Sequence, residues 1–527
     1  MPIEYPRLPQ KLALRKRLCT LAVMLVAVGA AGQDANIPVI PIPQQPFGPP
    51  APEFIGGPAI PNPIRTRPVP EDPFMAPNGQ SGVHLDAYQS DTYSIAGVLG
   101  HSPEVSSTFL AAECGTVTFD AQGRIIVVCA AINRITAYLL SPLSLETLAK
   151  FDLPAQGSTG GFGAGGYFFL DNYGRAVIPT RGRDIWRIKV VDGAMGPAFV
   201  KDHTCANDLP AMIPSDQAIL STLPDAHGLL WFTTSGGTDL STEPAMVGTA
   251  NPDPSNGDHC TIQLHRLASG EAIVKSFAID PNPSRGGVFI VSDHQLYRFD
   301  AASDGSPLVT WQEAYDRGIR VKPGQITQGS GTTPTLMGTD LVTIVDNADP
   351  RMHVLVYRRA AQTDKQRLVC AEPVFQPLRS ATFNSLIATN RSISVENNYG
   401  YRDPFSTFLG GTTEPGITRI DLDGDLDSCH TVWTNNQESV PNVVSQLSLV
   451  TGLEYTYSKD PSPPDAPFSD PWYFTAVDFH TGETMFKILA GTGILYNSNY
   501  SSVYLGPDGK TAYVGVIGGL VRIHDTY

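Results

Sequence analysis

The sequence predicts an all-β chain folded as a β-propeller of eight blades, closed by an N-terminal strand. Three observations predict it. Short runs rich in Val, Ile, Phe and Thr, bounded by Gly, Asp, Asn and Pro, recur from His84 onward. They fall into groups of three or four, the spacing of radially repeated four-stranded sheets. No stretch sustains helical periodicity, and 17% charged residues beside 49 Gly and 45 Pro argue against a helical bundle. Eight groups are counted, with seven as the alternative because two are degenerate. A β-sandwich array or a parallel β-helix is the structural alternative, and the long Pro-rich insertions argue against a tight β-helix.

Along the chain, the first element is a leader. Arg7, Lys11, Arg15, Lys16 and Arg17 face one acid, Glu4, and an apolar run from Leu18 to Ala31 ends in small residues. That pattern reads as a secretory signal peptide over 1–32, too short for a comfortable membrane span, with an uncleaved anchor as the alternative. Removing five bases and one acid from a net charge of −15 leaves −19. The mature form is therefore expected to be exported, periplasmic or extracellular, and not membrane-spanning. So acidic a chain is not a nucleic-acid binder, which needs a basic face.

Residues 33–83 follow as a Pro-rich disordered linker, with 14 prolines between 33 and 77. The propeller domain is placed at 84–527. Its strand groups begin at Gly115–Asp120, Arg124–Ala131, Arg134–Leu140 and Thr147–Leu153. They end at Ser502–Leu505, Ala512–Val516 and Leu520–His524, one strand short. Thr92–Leu99 is expected to supply the missing strand and close the ring.

Six cysteines lie beyond the leader. An even number in an exported chain suggests disulfides. Cys114 and Cys129 flank a turn at Asp120–Gly123 and are paired on that ground. Cys205 with Cys260 and Cys370 with Cys429 follow by order alone. No CxxC pair and no zinc-like Cys/His spacing occurs.

One passage carries a family resemblance. Ala476-Val477-Asp478-Phe479-His480-Thr481-Gly482-Glu483-Thr484-Met485-Phe486 resembles the repeat signature of exported quinoprotein-type (PQQ-repeat) propellers, with Phe486 where that family usually has Trp. The resemblance covers one blade and implies the fold. It implies little about a cofactor: quinone dehydrogenases of this family use adjacent cysteines, and none are adjacent here. PQQ is therefore not expected. A quinone-dependent dehydrogenase is the least favoured activity.

Several motifs carry no chemistry. Gly161–Gly166 fits GxGxxG but precedes a strand where a dinucleotide site needs a helix. Gly506-Pro507-Asp508-Gly509-Lys510-Thr511 is a hairpin turn. Asp421, Asp423, Asp425 and Asp427 alternate like a calcium loop, but Leu426 stands where an EF-hand requires Gly.

Function is expected on one face. The loops joining second to third strands are long in several units: Ser235–Cys260, Asp346–Met352, Asn398–Pro415 and Lys459–Pro471. The opposite turns are short. Long loops on a rigid scaffold concentrate function. Asp346, Glu396 and Glu113 are the acid–base or metal candidates there. Asn133, Arg181, Asn347, Arg351, Asn397, Asn398 and Tyr399 are the substrate-binding candidates, since amides, guanidinium and phenol suit a hydroxylated or carboxylated ligand. Asn and Asp oxygens also suit calcium. The competing explanation is that such residues hydrogen-bond their own turns. The expected partner is a small polar molecule or glycan, or an envelope protein. The expected activities are metal-assisted hydrolysis, as in a lactonase, or acid–base lyase or isomerase chemistry. The alternative is a non-enzymatic interaction scaffold.

Overall fold

The apolar runs bury both faces of their strands, so they stack as sheets around an axis. In the computed structural model, residues 38–45, 51–131, 134–153, 166–180, 182–205, 208–236, 243–253, 256–462 and 468–527 are described. They form eight sheets in a ring, an eight-bladed β-propeller.

Blade 1 holds Glu113–Phe119, Ile125–Ala131, Arg134–Leu140 and Thr147–Leu153, from axis to rim. Blade 2 holds Phe169–Leu170, Arg175–Pro179, Ile185–Gly193 and Gly196–Thr204. Blade 3 holds Ile219–Pro224, Leu230–Thr234, Met246–Asp253 and Asn256–Arg266. Blade 4 holds Ala278–Ile279, Val288–Val291, Gln295–Ala301 and Pro307–Ala314. Blade 5 holds Thr335–Met337, Leu341–Val345, His353–Arg358 and Leu368–Pro373. Blade 6 holds Ile387–Ala388, Ser392–Glu396, Ile417–Leu422 and Cys429–Asn435. Blade 7 holds Gln446–Ser448, Leu453–Lys459, Pro471–Asp478 and Thr484–Thr492, and blade 8 Val503–Leu505, Thr511–Val516 and Gly519–Asp525.

The ring closes as expected in kind but not in place. The fourth strand of blade 8 is Pro103–Phe109, paired along its whole length with Gly519–Asp525. Thr92–Leu99 is not that strand. Thr92 and Tyr93 instead pair in parallel with Leu447 and Ser448 on the axial side of blade 7. Both segments are strand-like in composition, and only the tertiary path separates them.

The blade count needed a strand that the loop reading missed. Ser235–Cys260 is not one loop, because Met246–Asp253 is the third strand of blade 3. Gly248 disguises it. A Cβ there would lie 2.2 Å from the Phe232 ring, so the close packing of two strands excludes a side chain.

The Pro-rich stretch is extended, as its composition dictates, but its described residues lie against the blades and do not run free. Phe54–Gly56 adds a strand to the rim of blade 7. Asn62 and Ile64 donate to the carbonyls of Thr451 and Leu449. A cavity of about 320 Å3 remains under residues 66–70, lined by Val69, Tyr88, Leu336, Ala388 and Leu449 among others.

Residues 76–93 then enter the central channel. The segment comes in beside the first-to-second-strand turn of blade 2, where Asn172 bonds the Pro73 and Phe74 carbonyls. It leaves beside the corresponding turn of blade 8, where Ala96 meets Gly509. Inside, its carbonyls accept from the innermost strands: Leu170 donates to Ser81, Ile279 to Ala87, Leu336 to Tyr88, Ala388 to Ser90 and Leu447 to Asp91. These amides would otherwise be orphaned at the axis. One half of the channel is thus filled by the chain itself. The other half, where the innermost strands begin, is the mouth.

All three expected disulfides form. Cys114–Cys129 joins paired strands of blade 1, Cys205–Cys260 ties blade 2 to blade 3, and Cys370–Cys429 ties the outer strands of blades 5 and 6. Three disulfides are the covalent pattern of an oxidising, exported setting. Residues 1–32, expected to be a signal peptide, lie outside the described residues, and among the described residues no helix is long and apolar enough to cross a membrane.

Candidate functional site at the channel mouth

The long second-to-third-strand loops do share one face. Their polar residues, however, mostly hold the loops themselves. Asp346 follows the second strand of blade 5 and accepts from the amides of Ala348 (3.2 Å) and His353 (2.6 Å), while its other oxygen meets His353 Nδ1 at 2.8 Å. That contact raises the His353 pKa. Asn347 Nδ2 donates to the Arg317 and Arg320 carbonyls at 2.9 and 3.0 Å. Asn397 bonds the Arg379 carbonyl and the Ala381 and Tyr399 amides. Asn398 bonds Thr382 Oγ1, the Phe383 amide and the Val440 carbonyl, so both polar atoms of its side chain are engaged within the loops. Tyr399 and Arg351 are half-buried beside these loops. Asn133 and Arg181 lie outside the described residues.

Glu396 is enclosed between blades 6 and 7, accepting from Asn384 Nδ2 at 2.8 Å and Ser445 Oγ at 2.7 Å. Burial, with Glu454 and Asp91 nearby, pushes its carboxyl well above the usual range. Glu454 is pushed up to about 7, chiefly by burial. The two make an internal pair of acids and not a surface site.

Glu113 is placed differently. It stands at the start of the innermost strand of blade 1, half-buried at the mouth, and accepts from Asn499 Nδ2 at 2.6 Å. Burial lifts its carboxyl to about 7. Asn499 Oδ1 in turn accepts from Tyr401 Oη at 2.8 Å. Asn499 and Tyr500 both hold left-handed backbone, with φ of 38° and 72°. For a bulky Tyr that conformation is strained and is kept only where the surroundings enforce it.

Across the axis, three residues before the innermost strand of blade 4, stands Lys275. Its side chain is 6% exposed. Its Nζ lies 3.7 Å from the Phe383 ring centre and 5.1 Å from that of Tyr500. Phe383 and Tyr500 meet edge to face at 5.4 Å, and Tyr500 meets Tyr401 the same way at 5.7 Å. Among the described residues no carboxylate pairs with Lys275. Burial alone lowers its pKa from 10.5 to about 7. Below this layer lie Tyr167 and then His84, whose rings are 6.3 Å apart. His84 is held by Asp91 at 3.1 Å and by Thr333 and Ser385.

The mouth therefore brings together Glu113, Asn499, Tyr401, Tyr500, Phe383 and Lys275. Of these, sequence reasoning singled out Glu113 alone. One signal was available: Lys275 interrupts the apolar run Ala272–Ile279, and a buried lysine is rare.

No group of three His, Cys, Asp or Glu side chains converges to hold a metal among the described residues. The alternating aspartates are taken up elsewhere. Asp421 pairs with Arg419, Asp423 with His430, and Asp427 with Arg358 and Lys365. The calcium expectation thus finds no cluster of carboxylate ligands among the described residues.

No family model matches the chain. An uncharacterized protein of Archaeoglobus fulgidus is 27% identical over 344 residues, 60% of this chain. The match spans 62% of that relative's length. Among solved structures, Sqt1 from Chaetomium thermophilum aligns with a TM-score of 0.45 at 9% identity, covering 82% of this chain and 97% of that one. The Dos1 propeller aligns at 0.39 and 11% identity, over 86% and 94%. A suspected 6-phosphogluconolactonase from Bacteroides fragilis aligns at 0.35 and 14% identity, over 63% and 83%. These are likenesses of fold.

Proposed function

We propose that the chain is an exported ligand-binding propeller that takes a small polar organic molecule at the mouth of its central channel. The observation that carries this reading is the asymmetry of the channel. Residues 76–93 fill one half, and the other half presents Glu113, Asn499 and Tyr500, all partly exposed, beside a buried lysine that has no ion pair among the described residues. Ligand sites combine such a mostly aromatic lining with a few convergent polar groups. The strained Tyr500 supports the reading, since strain collects at functional sites. The quinoprotein-type resemblance fits at the level of fold. Its signature is a turn in which Asp478 accepts from the His480 and Thr481 amides, and Phe486 packs on Phe54.

The test is a thermal-shift screen of sugars, sugar acids and lactones, followed by calorimetry. Tyr500→Ala is expected to weaken any hit at least tenfold while the melting temperature of the free protein stays within a few degrees. A hit that binds this variant like the wild type would place the site elsewhere.

A second reading, a scaffold for another protein on the same face, rests on exposed apolar side chains there. Ile319 is 88% exposed and Phe405 59% exposed. They sit on loops joined where the Gly400 amide meets the Pro323 carbonyl. Isolated exposed apolar residues are common, so this reading ranks second. Ile319→Ser with Phe405→Ser should abolish capture of a partner without touching small-molecule binding.

A further inference from the structure

We propose that the molecule taken at the channel mouth is a small organic monoanion, a carboxylate, and that Lys275 is its counter-ion. This rests on the channel-mouth reading and names its ligand class. The starting point is an imbalance. A buried charge is normally paired and hydrogen-bonded. Lys275 has neither an ion pair nor a hydrogen bond among the described residues. It has only the faces of Phe383 and Tyr500. Ring faces attract a cation but accept none of its three N–H bonds in the way an oxygen does.

The neighbouring acids are all committed elsewhere. Asp91 is shared between His84 and Gln446. Glu396 is held by Asn384 and Ser445. Glu113 lies beyond Tyr500 and accepts from Asn499. Tyr500 brings a hydroxyl that has no hydrogen-bond partner among the described residues. The mouth thus offers one positive charge and unpartnered donors, beside rings that would cover a carbon skeleton.

A single ammonium matches a single negative charge. A phosphoryl group would call for several donors or a guanidinium fork. The protein as a whole is strongly acidic, which also disfavours a multiply charged ligand at this site.

The facing groups fix the sign of the pH dependence. Lys275 is faced by Phe383 from the loop before blade 6 and Tyr500 from the loop before blade 8, and no carboxylate touches it among the described residues. Burial holds its pKa near 7 in the free protein. An anion bound beside it favours the charged form, so binding above neutrality must take up a proton. Affinity then falls as pH rises through about 7. Glu113 also ionises near 7, and its negative charge works in the same direction.

The experiment is calorimetry with lactate, pyruvate and gluconate, and with glucose and propane-1,2-diol as neutral probes. It is run at about pH 6 and about pH 8.5, each in two buffers of different ionisation enthalpy, so that proton uptake is read directly. We expect at least one acid to bind, with a tenfold or greater loss of affinity from the lower to the higher pH and net proton uptake. Lys275→Met should abolish acid binding. Lys275→Arg, which keeps the charge at all these pH values, should bind with no proton uptake at position 275 and only the weaker pH dependence that Glu113 leaves. Glu113→Gln should retain binding with a shallower slope. Circular dichroism checks the fold of each variant.

If a neutral probe binds and is lost in Tyr500→Ala, but binds Lys275→Met like the wild type, the mouth is a ligand site and the counter-ion proposal is wrong. If none of the five probes binds the wild type, the proposal fails. If the sugars and lactones of the wider screen fail as well, the channel-mouth reading falls with it.

Discussion

At the scale of single residues, the molecule is marked by ionisable groups that its own fold discharges. Glu396 and Glu454 are enclosed together, and each is held above its ordinary carboxyl range, mainly by burial. A carboxyl whose pKa rises on folding binds its proton more tightly in the native state. Stability from such a group is greatest below the unfolded value near 4.5, and it falls as pH climbs through about 7. For Glu454 the full difference is on the order of 3 kcal/mol. Glu454→Gln is therefore expected to unfold at similar denaturant at about pH 4.5 but to exceed the wild type by about pH 8, as read from urea midpoints. A wild type equally stable at both pH values would show that the pair is not discharged.

Much of the candidate site was illegible at this scale. Asp346, Asn397 and Asn398 look like ligand-binding residues in sequence because Asx side chains on loops serve both ligands and turns, and only geometry separates the two. Here they bond nearby backbone amides and carbonyls. Lys275, Phe383 and Tyr500 come from blades 4, 6 and 8, so no local pattern could bring them together.

At the scale of elements, the strands buried on both faces were readable. Ile125–Ala131 and Ala512–Val516 are continuous apolar runs and were placed within a residue or so. The rim strands Leu368–Pro373 and Cys429–Asn435 are not legible in the sequence. They are half-exposed and carry Glu372 and His430, so no hydrophobic period marks them. The cysteines within them carried the missing information, since Cys370 and Cys429 join those two strands. Met246–Asp253 was missed because Gly248, Asn251 and Pro252 read as loop. Gly248→Ala tests that strand. Its Cβ would sit 2.2 Å from the Phe232 ring, in a packed core with no room to yield. The expected cost is about 2 kcal/mol or more, seen as a lowered melting temperature. An unchanged melting temperature would mean that the strand does not pack against Phe232.

At the scale of the whole molecule, the ring is fastened in three ways. Pro103–Phe109 completes blade 8, two of the three disulfides tie neighbouring blades at the rim, and residues 76–93 bridge the innermost strands at the axis. Cys370 and Cys429 are 59 residues apart. A loop of that length confers about 4 kcal/mol in the chain-entropy account. Replacing both by Ser should lower the melting temperature in non-reducing buffer and leave no such difference in reducing buffer. The axial segment has a functional consequence as well. By closing one end of the channel, it leaves the mouth as the end at which a ligand can meet Lys275.

Lys275 is the charge on which ligand binding at the mouth turns. The most direct measurement is the titration of its Cε resonance in protein labelled with 13C-lysine, assigned by its loss in Lys275→Met. The midpoint is expected near 7 in the free protein, displaced upward when a small carboxylate is bound. A midpoint at the ordinary value of 10.5 would contradict it, because the ammonium would then be solvated or already paired, and the mouth would hold no charge waiting for a ligand.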